Sequence, residues 1–484
     1  MGYINGTPRN QTVLFPGTLD EYLDENNAVR AIDAFIEYLP FNELGFERGE
    51  PAETGRPGYD PRVLLGIFIW GHLNGVRSSR RLERECGRCV ELMWLSGQLQ
   101  PDFKTLCRFR QENGEAINRV LVQFRVWCQG AELFGNELVA IDGSKFKAVN
   151  STARNVTQGR LAKLIEREKQ AVAQYLAELQ AADEQETTVP EPELTAAELQ
   201  QKISTIGDYL KQHEELLGEL KESGEQQRSL TDPEARLMKT AKGMDVCYNV
   251  QLAVDSKHKL IASVEVTNEV TDQEQLAEMA QQAKADLGVA ELSVVADGGY
   301  FGSEVIKACE DAQVTAYVPV PELGNAKRRG LFVREEFNYD ADRDLYVCPA
   351  GAELTVMSRT MKKAHHNKEF RVYATRQCQG CPLRAQCTTS KHGRRIKRWV
   401  HHEVLERLQA RMRAHPEMLV LRKALSEHPF GTIKVAMNHE RLLLKGLKGV
   451  ATEIRLTVLS YNLKRVMSIL GVATLIERLK LQPA

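Results

Sequence analysis

The chain has 484 residues, 43% of them hydrophobic, enough to bury a large core and to divide into two to four structural units. A formal net charge of −1 selects no partner class, but the balance is uneven: residues 183–227 carry twelve Asp/Glu against three Lys/Arg, and residues 391–450 fourteen Lys/Arg against five Asp/Glu. No apolar run reaches the ~20 residues of a membrane span and the polar start lacks a signal-peptide core, so the expectation is a cytoplasmic protein whose ten cysteines are thiols or metal ligands.

Residues 1–132 predict an all-helical N-terminal domain by their periodicity. Asp60-Pro61 opens RVLLGIFIWGHL, Ser78 or Ser79 caps RRLERECGRCVELMWL, and Asp102 caps FKTLCRFRQENGEAINRVLVQFRVWC. Short helices with tight joints and paired arginines (Arg80 and Arg81, Arg108 and Arg110) permit a helix-turn-helix DNA reader, and equally an ordinary helical bundle. Cys86 and Cys89 form a C-x2-C pair on a helical segment with no second pair nearby, which suits packing better than a metal.

Residues 133–470 form the expected second domain. In NELVAIDGSKFK the apolar run Leu138–Ile141 ends on Asp142-Gly143. Residues 156–230 then predict a helical-hairpin insert, whose second helix puts Leu199, Ile203, Ile206, Leu210, His213, Leu217 and Leu220 on a heptad seam. His213 there reads as a tolerated seam residue rather than a ligand. CYNVQLAVDSKHKLIASVEVT predicts two strands meeting at a turn at 255–258, and a helix near 273–285 leads into SVVADGGYFGSEVIKACED. Asp-Gly after a strand is a hairpin signal, yet the apolar residues beyond it keep helical spacing behind Ser303, a plausible N-cap. The unit is therefore strand, tight turn, helix, with Asp297 at the strand's C-terminal end, where open α/β sheets collect their chemistry.

After a further strand in AYVPVP, residues 321–400 predict a β-rich insert containing Cys348, Cys378, Cys381 and Cys387, four soft donors that suit structural zinc or remain reduced thiols. Trp399, in RRIKRWVHH, fits either base stacking or a buried anchor, and Arg398 beside it joins the basic block. In LRKALSEHPFGTIKVAMNHE, Glu427 precedes Lys434 by seven residues and follows Lys423 by four, so on a regular helix the three share a face; Pro429 warns of irregularity. Residues 471–484 are expected as a tail.

The strand order, with a helical insert and then an antiparallel pair followed by strand-helix-strand, resembles the ribonuclease H fold: an α/β class with a mixed sheet. AIDGSK, VVADGGYFGSE and EHPFGTIK in this order, with DPEARLM, CYNVQ and the late YNLKR, resemble the DDE transposases of bacterial insertion sequences, in the retroviral-integrase-like superfamily. The similarity runs from Gly55 onward. It implies that Asp142, Asp297 and Glu427 hold two Mg²⁺ or Mn²⁺ ions, cut a phosphodiester at each element end and join the freed 3′-OH to target DNA. It further implies double-stranded DNA as partner, both terminal inverted repeats and target, a homodimer when ends are synapsed, and a nucleoid-associated place in the cytoplasm. Arg80, Arg81, Arg398, Trp399, Arg422, Lys423 and Lys434 are the expected DNA contacts. The family signature Tyr-x2-Arg-x3-Glu-x6-Lys is kept at Glu427 and Lys434, while Lys423 stands at its arginine and Val420 at its tyrosine. Two other readings remain: a nuclease or resolvase of the same fold that cuts without joining, and a DNA-binding descendant with weakened catalysis.

Overall fold

The computed structural model describes residues 17–47, 58–150, 152–184, 195–321, 329–358 and 369–481. The polar start, Gly55 and the TTVPEPEL break lie outside them. The class is mixed α/β, with only helices before the first strand among the described residues. Two compact units form: Met1–Gly135 with Gly143–Val270 and Ser426–Ala484, and Asn136–Asp142 with Thr271–Leu425.

Six strands matter for the site: β1 (Leu138–Lys147), β2 (Arg236–Thr240), β3 (Gly243–Asp255), β4 (Ile261–Thr267), β5 (Leu292–Val295) and β6 (Val314–Tyr317). In the first unit β3 pairs antiparallel with β2 and with β4, the latter register shifting at Ala253/Val254, and β3 also neighbours β1. The short strand β2 was not expected from the sequence. Its residues Arg236–Thr240 lack clean alternation, and a reciprocal ladder from Arg236↔Cys247 to Thr240↔Gly243 forms it.

The helix Gly446–Leu470 is the axis of this unit. Its buried residues, among them Ile454, Leu456, Val458, Leu459, Tyr461 and Leu463, run all round it, as befits a helix enclosed on every side. It packs on Pro61–Leu73, Gly114–Gly130 and β4. The YNLKR motif supplies its polar joints: Asn462 exchanges two hydrogen bonds with the backbone of Ile261 (both 2.9 Å), Tyr461 donates to Lys259 O (2.9 Å), and Arg465 reaches His258 O at 3.0 Å. These three side chains satisfy backbone groups at the β3–β4 turn that no strand partner would reach. Another motif residue, Asp232, accepts from Tyr248 (2.8 Å) and from Gly446 N (3.2 Å).

Several expected elements change at their ends. Asp60 and Asp102 cap as expected, accepting from Arg62 N and from Lys104 N and Thr105 N. The helical stretches after Ser78 and after Asp102 each split in two, at Gly87–Cys89 and at Asn113. The expected tail instead contains the helix Val472–Leu481, whose Leu475 and Leu479 bury while it packs on Ala28–Tyr38. In the helical hairpin, Gln158–Glu184 and Ala196–Glu222 pack together; Thr195 and Glu198 close a capping box, and His213 Nδ1 meets Glu168 at 2.9 Å across the seam. That carboxylate gives the seam histidine a polar partner.

In the second unit the first residues of β1 run parallel to β5, and β5 parallel to β6. The helices Gln275–Leu287, Ser303–Asp311, His402–Ala414 and the start of Glu417–Gly431 belong with them. The 329–400 region adds a five-stranded antiparallel meander around Phe337, Tyr346, Leu354, Tyr373 and Ile396. No described helix is long and apolar enough to cross a membrane.

Candidate active site

Strand register positions the first two acids. Ala140 sits opposite Val295 in the parallel β1–β5 pair, and Asp142 and Asp297 each lie two residues further on. Because side chains alternate along extended backbone, each acid points to the face of the residue two before it. Ala140 and Val295 share one buried cluster with Leu425, and Leu421 and Met418 pack against that cluster, so that face is the one covered by the helix beginning at Glu417. Arg422, on that helix, reaches over: its Nη1 stands 3.4 Å from Asp142 Oδ2 and 3.9 Å from Asp297 Oδ2. Residues 155 positions apart thus converge on one guanidinium nitrogen.

Two sequence expectations change here. Asp142 does not end its strand: β1 continues to Lys147, because its later residues serve the first unit, where Lys147 N donates to Glu440 O and Lys147 pairs with Asp245 at 2.5 Å. Asp297 does follow its strand, and its carboxylate accepts from Gly299 N at 2.8 Å, capping the 3-10 turn Gly298–Tyr300. A Cβ on Gly299 would stand 2.9 Å from Asp297 Oδ1, which explains the second glycine by close approach rather than by a hairpin. Ser303 is the first helical residue and not the cap; Gly302 occupies that place.

Glu427 and Lys434 need a different account from the shared helix face. The α-helix Glu417–Gly431 contains Pro429 and gives way to a π-helical turn over Thr432–Ala436, so ~100° per residue does not carry through to Lys434. Lys434 lies in the first unit, donating to Ser144 Oγ (2.6 Å) and Lys145 O (3.0 Å) over the Phe146 ring at 4.7 Å. Burial holds its ammonium below the usual lysine range. It braces the strand immediately after Asp142. Glu427 and Lys423 are exposed, and on a regular helix Glu427 lies about 140° around from Arg422. Glu440 is not on a continuation of that helix: the turn ends at Ala436, Asn438 takes a left-handed φ of 50°, and exposed Glu440 pairs with Lys242 at 3.2 Å.

Of the other expected DNA contacts, Arg80 and Arg81 are exposed, Arg80 lying over Phe103 at 4.9 Å. Arg110 is buried. Arg398 and Trp399 are corrected: they are 7% and 4% exposed. Arg398 is held by Glu406 at 2.6 Å and lies 3.7 Å from the centre of the Tyr339 ring. An indole so covered has no face for a base and matches the buried-anchor reading, at the end of the strand Arg395–Trp399. Two further charges of the basic block pair within the chain, exposed Arg407 with Glu310 and partly buried Arg411 with the Ala316 carbonyl.

The four cysteines of the β-rich insert line one small cavity, with Phe332 and Arg394 beside them. Burial, and after it the nearness of the other three thiols, pushes the Cys387 thiol up. Among the described residues no three His, Cys, Asp or Glu side chains form a ready-made metal cluster. Burial also pushes the Cys86 thiol up to about 11, in keeping with a packed residue.

Sequence reasoning missed Arg422 as the partner of the acids, because the signature drew attention to Lys423; the signal available was its one-residue offset from Leu421, which packs half-buried against the core. Two family models match the chain: a transposase DDE domain over residues 347–467 and a transposase domain (DUF772) over residues 17–112. No curated protein and no solved structure matches it.

Proposed function

The chain belongs to the DDE transposases of insertion sequences, and from that premise we propose that it cuts DNA at element ends and transfers the freed 3′ ends into target DNA at a site built on Asp142, Asp297 and Glu427. The observation that carries this reading is the meeting of Asp142 and Asp297 on one cationic nitrogen. Two acids aimed at one point repel unless a cation lies between them, and their hard oxygen donors suit Mg²⁺ or Mn²⁺. The donor set therefore fits the divalent ions that the family generally uses. Bound there, such ions supply a water of lowered pKa and stabilise the leaving 3′-oxygen.

The chain's own residues do the rest. Asp142, two residues past the parallel register of β1 with β5, and Asp297, just after β5, fix the reaction point, and the hydrogen bond from Gly299 N orients Asp297. Glu427 supplies the third carboxylate by its place in the signature. Lys434 holds Ser144 and Lys145, and through them the strand that carries Asp142. Arg80, Arg81 and Lys423 offer exposed charge to phosphate. The parallel β1–β5–β6 set and the antiparallel β2–β3–β4 set support a ribonuclease H-like fold. Two copies bringing two ends together complete the reaction.

A duplex carrying a pre-cut 3′-OH end, incubated with plasmid and Mg²⁺, tests the reading. Joined product is expected from the natural chain; cutting without joining would make it a nuclease of the same family. The four thiols around one cavity support a structural zinc, for which about one zinc per chain is expected, lost in the Cys378→Ser/Cys381→Ser pair together with local order of the insert. Zinc-free protein with an ordered insert would show the thiols to be core.

A further inference from the structure

We propose that Arg422 is the resident counter-ion of the acid pair: a cation supplied by the protein itself, which a divalent ion must displace to reach Asp142 and Asp297. The inference rests on the metal-site reading above and adds a competitor to it. A guanidinium stays charged at any pH the protein meets, so it neutralises the pair permanently when nothing else is bound. Its contacts of 3.4 and 3.9 Å are longer than the 2.7–2.9 Å of a tight charge-assisted pair. The grip is loose enough to release.

The surroundings allow that release without moving the helix. Leu421 and Leu425 pin this segment of the helix to the Ala140–Val295 face, so a displaced guanidinium moves on its own flexible stem. Asp297's side chain keeps 46% of its exposure and Arg422's 21%, which leaves water and ions a way in. A divalent ion and a guanidinium paired with the same carboxylates repel each other. Their occupancy is therefore competitive, and the measured metal affinity is lowered by the fraction of time Arg422 covers the pair. Lys423 stands at the signature's arginine but is exposed, whereas Arg422, one residue earlier, has its Nη1 beside both acids.

Mn²⁺ binding to the full-length, DNA-free chain, read by the loss of the free-ion resonance signal, tests this directly. Arg422→Gln is expected to tighten Mn²⁺ binding about tenfold and, without metal, to lower the melting temperature, with Mn²⁺ reversing the loss. Arg422→Lys, which keeps the charge on a smaller head and serves if the glutamine variant fails to fold, is expected to tighten binding less. Unchanged or weaker Mn²⁺ binding in the folded variants would overturn the counter-ion role. Asp142→Asn separates the two ideas: if it binds Mn²⁺ as the natural chain does, the metal-site reading itself fails. If it loses the ion while Arg422→Gln changes nothing, only the present inference fails.

Discussion

Two groups of charges in this molecule are treated in opposite ways. In the first unit Glu453 is fully buried, accepting from Arg77 at 2.7 Å and from the Leu443 and Leu444 amides at 2.9 Å, with His439 Nε2 at 3.3 Å. Burial alone would raise its pKa, but His439, Arg110 and Arg77 outweigh that and bring it down to about 2. In the second unit Asp142 and Asp297 meet a guanidinium at longer range and remain partly open to solvent. A charge meant to hold a fold is saturated with short bonds and closed off. A charge meant to receive a ligand stays within reach of water beside a cation that can leave.

The comparison can be broken first at the acids. Asp142→Asn or Asp297→Asn is expected to lower DNA cleavage by several orders of magnitude with little change in melting temperature, since a partly open carboxylate held only by a long ion pair contributes modestly to folding. A large loss of stability in either variant would make them structural. Glu453→Gln should do the reverse and destabilise the chain by about 3–5 kcal/mol in chemical unfolding, because it strands Arg77 and His439 without their buried partner. Cleavage by whatever protein remains folded should persist.

Next in size is a pH effect. Burial holds His72 and His439 below the usual histidine range, so the unfolded chain binds more protons than the folded one as pH falls below about 6.5. Stability should decline from neutral pH towards 5. It should decline again below about 4.5 as Glu453, depressed in the folded state, gives up its advantage on the way to pH 2. Unfolding midpoints measured across this range check both steps; a flat profile between pH 7.5 and 5 would mean that the histidines take up protons in the fold as readily as in the unfolded chain. The smallest expected change belongs to Glu440→Gln, which removes an exposed pair with Lys242 and should leave cleavage and stability nearly intact, while Glu427→Gln loses cleavage. The opposite outcome would move the third acid.

The sequence shows these regions unequally. Asp142 and Asp297 are legible because each closes a short apolar run, and period-two alternation makes such runs strands wherever they pair. Helix starts at Asp60 and Asp102 are legible because an acidic cap acts within three residues. Arg422 was not, since its role depends on the β1–β5 register and on which face of the helix Leu421 turns inward, both set by contacts distant in sequence. The π-turn after Pro429 was signalled only as irregularity, and it undoes the simple spacing from Glu427 to Lys434. Asn462 and Arg465 gave no hint that they tie down the β3–β4 turn, because a polar residue on a buried helix finds its partner only once the sheet is in place.

The most direct test of the central claim joins metal and acids in one assay. Strand transfer of a pre-cut 3′-OH end into plasmid is measured with Mg²⁺, with chelator and with Mg²⁺ plus Asp297→Asn. The account predicts joined product only for the natural chain with Mg²⁺, and joining by Asp297→Asn, or by the natural chain in chelator, would contradict it.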